Sequence, residues 1–294
     1  MASMESSRKH LRSERTMSYK TIVVLLDRTW RAEQLEVAFA LAHGMDAHVV
    51  GLYAVRPMVI PAYALVEAGP VADELHKILG ADIVRREEEA RKAFEAAAGR
   101  GGLSKTEWRI AEEEPLAAVC LNARYADLVI ASQPVPGLDE TGAAPDVHRS
   151  LALATGRPVL LVPYAGRFAE VGRNILIAWN ASRESARAVA DGLPLLRKAE
   201  SVRVVVFNPG PEHGEEPGAD IALNLARHGV KVSVATRINK DVGIGELILS
   251  YAADTGADLI VMGAYGHSRI RELVLGGATR TLLESMTVPV LMSH

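Results

Sequence analysis

Short apolar runs alternate with amphipathic stretches along most of the chain. Residues 21–27 (Thr-Ile-Val-Val-Leu-Leu-Asp) are apolar up to a closing acid, the pattern of a strand buried on both faces. Residues 30–43 carry Leu35, Val37, Ala38 and Leu41 at helical spacing, and Gly44 is placed to stop the helix. Strands are predicted over 47–55, 105–111, 126–131 and 157–162, and helices over 71–98, 115–125 and 147–155. Residues 56–70 are rich in Pro and Ala and read as a loop or lid; 132–145 read as a long turn-rich loop. After 164–167 the pattern begins again. Strands are predicted over 174–179, 202–207, 230–236, 257–262 and 288–292, with helices over 182–198, 219–228, 243–255 and 281–286. Ser182 is the expected N-cap of the first of these helices. Strands alternating with helices throughout predict parallel α/β layers.

The second half repeats the first. Ala126-Asp127-Leu128-Val129-Ile130 matches Ala257-Asp258-Leu259-Ile260-Val261 at an offset of 131 residues, and Pro158-Val159-Leu160 matches Pro289-Val290-Leu291 at the same offset. The opening strands match at an offset of 153, which pairs Asp27 with Asn180. The first half therefore holds 22 extra residues, placed between 56 and 102. Residues 1–17 read as a disordered tail, 18–164 as a first domain and 171–294 as a second.

The stretch with the most chemistry lies in the second half. Gly263-Ala264-Tyr265-Gly266 follows a predicted strand, and Gly276-Gly277-Ala278-Thr279-Arg280 enters a predicted helix. Gly263 and Gly266 allow positive φ and leave no Cβ between the backbone and a ligand. Gly276 and Gly277 stand where free N–H groups and the helix dipole favour an anion. His267, Ser268, Arg269 and Arg271 lie between them as donors. His267 is the best candidate there for a catalytic or phosphate-binding side chain, and a solvated loop histidine is the equally good alternative. The glycines alone fit either a phosphate site or a glycine-rich surface loop. No Gly-Lys-Ser/Thr closes the stretch, so it is not a Walker A loop, and its glycines are too far apart for the dinucleotide fingerprint. At the 131-residue offset the four glycines face Ser132, Val135, Pro145 and Asp146. Pro145 offers no N–H, and Asp146 places a negative charge where a phosphate would sit. A phosphate site, if present, belongs to the second half.

Composition narrows the classes. The 294 residues are 49% hydrophobic and 23% charged, ordinary for a globular chain of about two domains. A net charge of −3 argues against broad nucleic-acid or anionic-membrane binding. No run approaches the roughly 18 to 20 apolar residues of a membrane helix. The single cysteine, Cys120, excludes an intrachain disulfide, fits a reducing compartment and reads as a small buried hydrophobe. The nine histidines show no metal-ligand spacing, which leaves Mg²⁺ accompanying a nucleotide as the one metal expected.

The spacing Gly263-x2-Gly266-x9-Gly276, followed by a helix and Val288-Pro289-Val290-Leu291, resembles the nucleotide motif of the universal stress protein family, and the tandem repeat resembles its two-domain members. The resemblance covers Ser18 to the C-terminus. It implies an α/β fold of two tandem five-stranded parallel-sheet sandwiches, Rossmann-like and of the nucleotide α-hydrolase type. The two halves would form an internal pseudo-dimer through their last strands, with homodimerisation as a further option. It also implies a cytoplasmic stress-response protein that holds ATP, or AMP or ADP. Gly263, Gly266, Gly276, Gly277 and Ala278 would meet ribose and phosphates, and Asn180 and Phe207 ribose and base. Two positions depart from the family. Gly277 replaces a Ser/Thr, with Thr279 as a partial substitute, and Asn180 replaces the acid that closes the first strand. The alternatives are an interaction scaffold without nucleotide, or a weak ATP hydrolase.

Overall fold

The computed structural model describes residues 18–27, 30–54, 70–133, 147–264 and 277–294. The expected tail (1–17), lid (56–69) and first-half loop (134–146) lie outside the described residues, as do Gly266, His267, Ser268, Arg269, Arg271 and Gly276.

The first half runs β1 (Thr21–Leu26), α1 (Ala32–Met45), β2 (His48–Ala54), α2 (Pro70–Arg100), β3 (Thr106–Ala111), α3 (Pro115–Ala123), β4 (Leu128–Ser132), α4 (Val147–Ala154) and β5 (Val159–Val162). The second runs β6 (Asn174–Ala178), α5 (Arg183–Leu196), β7 (Ser201–Phe207), α6 (Ala219–Arg227), β8 (Val232–Arg237), α7 (Ile244–Thr255), β9 (Leu259–Gly263), α8 (Gly277–Ser285) and β10 (Val290–Ser293). A short 3₁₀ turn, Pro211–His213, precedes α6. Each half is a five-stranded parallel unit, and the two join edge to edge in one ten-stranded sheet ordered β3-β2-β1-β4-β5-β10-β9-β6-β7-β8. The seam is antiparallel: Val290 faces Leu161, Leu291 faces Leu160 and Met292 faces Val159. The last strands therefore meet as the resemblance implied, and they make a continuous sheet.

The apolar runs are explained by burial on both faces. Ile22, Val24 and Leu26 point into one layer of core, beneath α1 and α5, and Val23 and Leu25 into the other. Further ties cross the seam. Tyr19 donates its hydroxyl to the Asp191 carbonyl at 2.7 Å, and burial pushes that phenol well above its ordinary value. Buried Gln133 donates to the Leu283 carbonyl of α8 at 2.8 Å. Lys198 reaches the Gly44 carbonyl.

The repeated aspartates have a structural cause. Asp127 accepts the Lys20 and Thr21 N–H groups at 2.7 and 3.0 Å, and Asp258 accepts those of Gly172, Arg173 and Asn174 at 2.9 to 3.1 Å. Each ties down the chain where its half's opening strand begins. The surplus falls in the connection from β2 to β3, where α2 has 31 residues and its counterpart α6 has 9. Ion pairs such as Arg85–Glu89 at 2.6 Å line the exposed side of α2, as its charge run predicts.

Two expectations are corrected. Gly44 does not stop α1. The helix continues to Met45, and Asp46 caps it in the left-handed region at φ 54°, a conformation Asp tolerates through its short polar side chain. Cys120 is half-buried rather than buried, because its stretch of α3 is partly open to solvent; partial burial raises its thiol pKa.

Candidate functional site

The strand order reverses at β6. From it the chain proceeds outward through β7 and β8, then returns to build β9 and β10 on the other side. In open α/β sheets the crevice beyond the carboxyl ends of the strands at such a switch point is where ligands bind. Asn180, two residues past β6, and Gly263, the last residue of β9, flank it.

Asn180 is exposed, and its Oδ1 accepts the Ser182 N–H at 3.2 Å. That bond fixes the amide and presents Nδ2 as a donor. Ala181 between them has φ 56°, a strained value for a residue with a Cβ. Ser182 then caps α5 as expected, its Oγ accepting the Ser185 N–H at 3.1 Å. Glu184, in the first turn, is 5% exposed. Burial alone would raise its carboxyl, but hydrogen bonds from Arg183, its own N–H and Ser182 bring it below the usual carboxylate range.

Phe207 closes β7, half-buried. Its ring meets Tyr251 of α7 edge-on, with centroids 6.0 Å apart at 84°. Asn208 follows at φ 48° and exchanges two bonds of 2.7 Å with Asn239, which pins the end of β7 to the chain after β8. Side-chain alternation from Leu176 and Ala178 places Asn180 on the same sheet face as Phe207, the face covered by α7 and α8.

Gly277 opens α8, and among the described residues a Cβ added there would meet nothing within 4 Å. Ala278 is half-buried. Thr279 is only 4% exposed, so its side chain belongs to the inner side of the helix. Gly263 differs from the expectation. Its φ is not in the left-handed region, and a Cβ on it would lie 2.5 Å from Ser185 N and 2.6 Å from the Glu184 carbonyl carbon. The position requires glycine because the first turn of α5 packs directly against it.

The first half is built differently at its own switch point, between β1 and β4. His148, in the first turn of α4, puts Nε2 3.3 Å from Asp27 Oδ2, and the two side chains are 4% and 15% exposed. The repeat aligns His148 with Thr279 and Asp27 with Asn180. Neither His148 nor the Gln133 tie stood out in the sequence; reading the repeat offset through α4 would have paired His148 with Thr279.

A groove of about 670 Å³ opens at the opposite, amino-terminal ends of β6 and β9. Within it Arg173 pairs with Glu170 at 3.1 Å and with Glu200 at 2.8 Å, and Asp258 holds backbone N–H groups. Among the described residues no cluster of three or more His, Cys, Asp or Glu is arranged to hold a metal. No helix among them is long and apolar enough to cross a membrane.

Comparison with known proteins agrees with this architecture. The model of the universal stress protein family matches residues 172–294. A universal stress protein of Synechocystis sp., Slr1230, is 50% identical over 46 residues, which is 16% of the chain and 16% of that relative's length. A universal stress protein structure from Archaeoglobus fulgidus superposes with a TM-score of 0.62 at 15% identity, over 92% of this chain and 95% of the other. A structure from Pseudomonas aeruginosa, described as a putative universal stress protein, gives 0.55 at 16% identity, over 94% and 93%. At these identities the likeness is one of fold. Residues 172–294 are thus similar to the universal stress protein family, and the chain as a whole has the fold of these solved structures.

Proposed function

We propose that the second half binds an adenine nucleotide, ATP or its mono- or diphosphate, across the carboxyl ends of β9, β6 and β7. Its phosphates lie at the amino end of α8, its sugar beside Asn180 and its base against Phe207. The observation that carries this reading is the conjunction at the switch point. The helix N-terminus at Gly277, an amide donor and an aromatic ring share one face where the strand order reverses. The first half takes no nucleotide, because His148 and Asp27 fill the corresponding crevice with the protein's own side chains. Mg²⁺ arrives with the nucleotide. The protein acts as a nucleotide-dependent regulator in a stress response and works in the cytoplasm, which suits its single cysteine.

Thermal unfolding with and without ATP and Mg²⁺ tests the reading. A ligand that binds only the folded state stabilises it by about 2.7 kcal/mol at a hundredfold excess over Kd. The shift is expected in the wild type and absent in a Gly266→Val, Gly276→Val variant. No shift, with no nucleotide retained through purification, would leave an interaction scaffold as the function.

A further inference from the structure

We infer that the outer edge of β8 is a self-association surface, where a second copy of this chain docks its own β8 antiparallel and carries the ten-stranded sheet across both copies. The inference is independent of the nucleotide reading above.

The two outermost strands of the sheet are built differently. β3 carries Glu107 and Arg109, paired at 2.7 Å. α2 reaches over it: the Trp108 indole donates to Glu87 at 2.8 Å, and its ring lies 5.4 Å from that of Phe94. Charges and a covering helix are common means of keeping an edge from pairing with another chain. β8 has neither. Residues 232–236 (Val-Ser-Val-Ala-Thr) hold no charge and no proline, and the helix that joins β7 to β8, α6, has only 9 residues. Val234 is 42% exposed, and Ile238, just past the strand, 73%.

The backbone fixes which groups are free. The Lys231 and Arg237 carbonyls accept the Val202 and Asn208 N–H groups at 3.0 and 2.8 Å. Asn239 also turns its backbone to Asn208, in two bonds of 2.7 Å. Odd-numbered residues therefore face β7, and Val232, Val234, Thr236 and Ile238 point their N–H and C=O groups outward. Among the described residues no strand pairs with these four. The Arg237 side chain donates to the Thr236 carbonyl at 3.0 Å, which leaves that oxygen a second lone pair.

A two-fold axis at Ala235 pairs all four outward residues. It sets Val234 opposite Thr236 and Val232 opposite Ile238, β-branched pairs on one face, and Arg237 opposite Ser233 on the other. An axis at Val234 would oppose Lys231 and Arg237, which are like charges, and leave Ile238 without a partner. The chain already joins its two repeats by the same device, the antiparallel edge pair of β5 and β10.

Analytical ultracentrifugation of the full chain over a concentration series, with circular dichroism to check folding, tests the inference. The wild type is expected to reach about twice 31.6 kDa. Thr236→Pro removes an outward N–H and Val234→Lys charges the edge; each is expected to weaken association about tenfold or more. Cross-linking in a Cys120→Ser background checks the register. Ala235→Cys puts two thiols on the axis, with Cα atoms roughly 4.5 Å apart and within disulfide reach, and should give a covalent dimer on oxidation with diamide. Ser233→Cys sets the Cα atoms about 13 Å apart and should not. A wild type that stays monomeric would overturn the inference and leave the edge to a strand of another protein. So would a dimer that both edge variants leave intact, or Ser233→Cys cross-linking as readily as Ala235→Cys.

Discussion

Replacing Gly263 by alanine separates a packing role from a ligand role. A Cβ at this position would stand 2.5 Å from Ser185 N and 2.6 Å from the Glu184 carbonyl carbon, where ordinary contact begins near 3.4 Å. Both atoms are backbone in the first turn of α5, anchored by the Ser182 cap, so no side chain can rotate away. Either α5 or the end of β9 must shift by nearly 1 Å. Overpacking of this kind costs about 1–3 kcal/mol. With a urea m-value of about 2 kcal/mol/M, the unfolding midpoint falls by about 0.5–1.5 M. The assay is urea unfolding without nucleotide, followed by circular dichroism. Gly277→Ala is the control: its Cβ meets no other described residue, and replacing Gly by Ala in a helix is neutral or stabilising by about 0.5–1 kcal/mol. Refutation would be a Gly263→Ala midpoint equal to wild type alongside a loss of nucleotide affinity. That pattern would mean the glycine serves a ligand, as its sequence context first suggests.

Further outcomes follow from the same geometry. Gly277→Ser places a hydroxyl at the open end of α8 and adds one hydrogen bond to phosphate, about 0.5–1.5 kcal/mol; titration should show tighter ATP binding. Tyr19→Phe removes the buried bond to the Asp191 carbonyl across the seam and should lower stability by about 1 kcal/mol in urea. The Glu184 carboxyl is lower in the folded state than its ordinary value of 4.5. Its contribution is therefore present above that pH and is lost as pH falls through the folded value. The stability gap between wild type and Glu184→Gln should be seen at pH 7 and shrink in unfolding curves below pH 4.5.

Most of the fold was legible because its strands are buried on both faces and announce themselves as unbroken apolar runs. Repetition gave the two-unit plan and the surplus of the first half, which falls in the connection that holds α2. Helix ends were harder. Asp46 caps α1 in a conformation that single-residue preference assigns to Gly44, since a capping residue needs left-handed backbone rather than the absence of a side chain. At the candidate site, Asn180, Phe207 and Gly277 were legible from their places at strand and helix ends. Gly263 was legible as an obligatory glycine but not for its reason, which depends on how closely α5 approaches β9. The Asp27–His148 pair could not be seen, because it depends on a contact between residues far apart in sequence.

The central claim is that a nucleotide sits at the amino end of α8, once per chain. Titration of ATP and Mg²⁺ into wild type and Gly277→Asp tests it most directly. The variant installs the charge that Asp146 gives the matching position of the first half, at a place where no other described residue would crowd it. An acid in the first turn of a helix favours the helix, so folding is preserved while a phosphate is repelled. The account predicts one site per chain in the wild type and at least tenfold weaker binding in the variant, with no loss of thermal stability. Equal affinity in the two proteins, or two sites per chain, would contradict it.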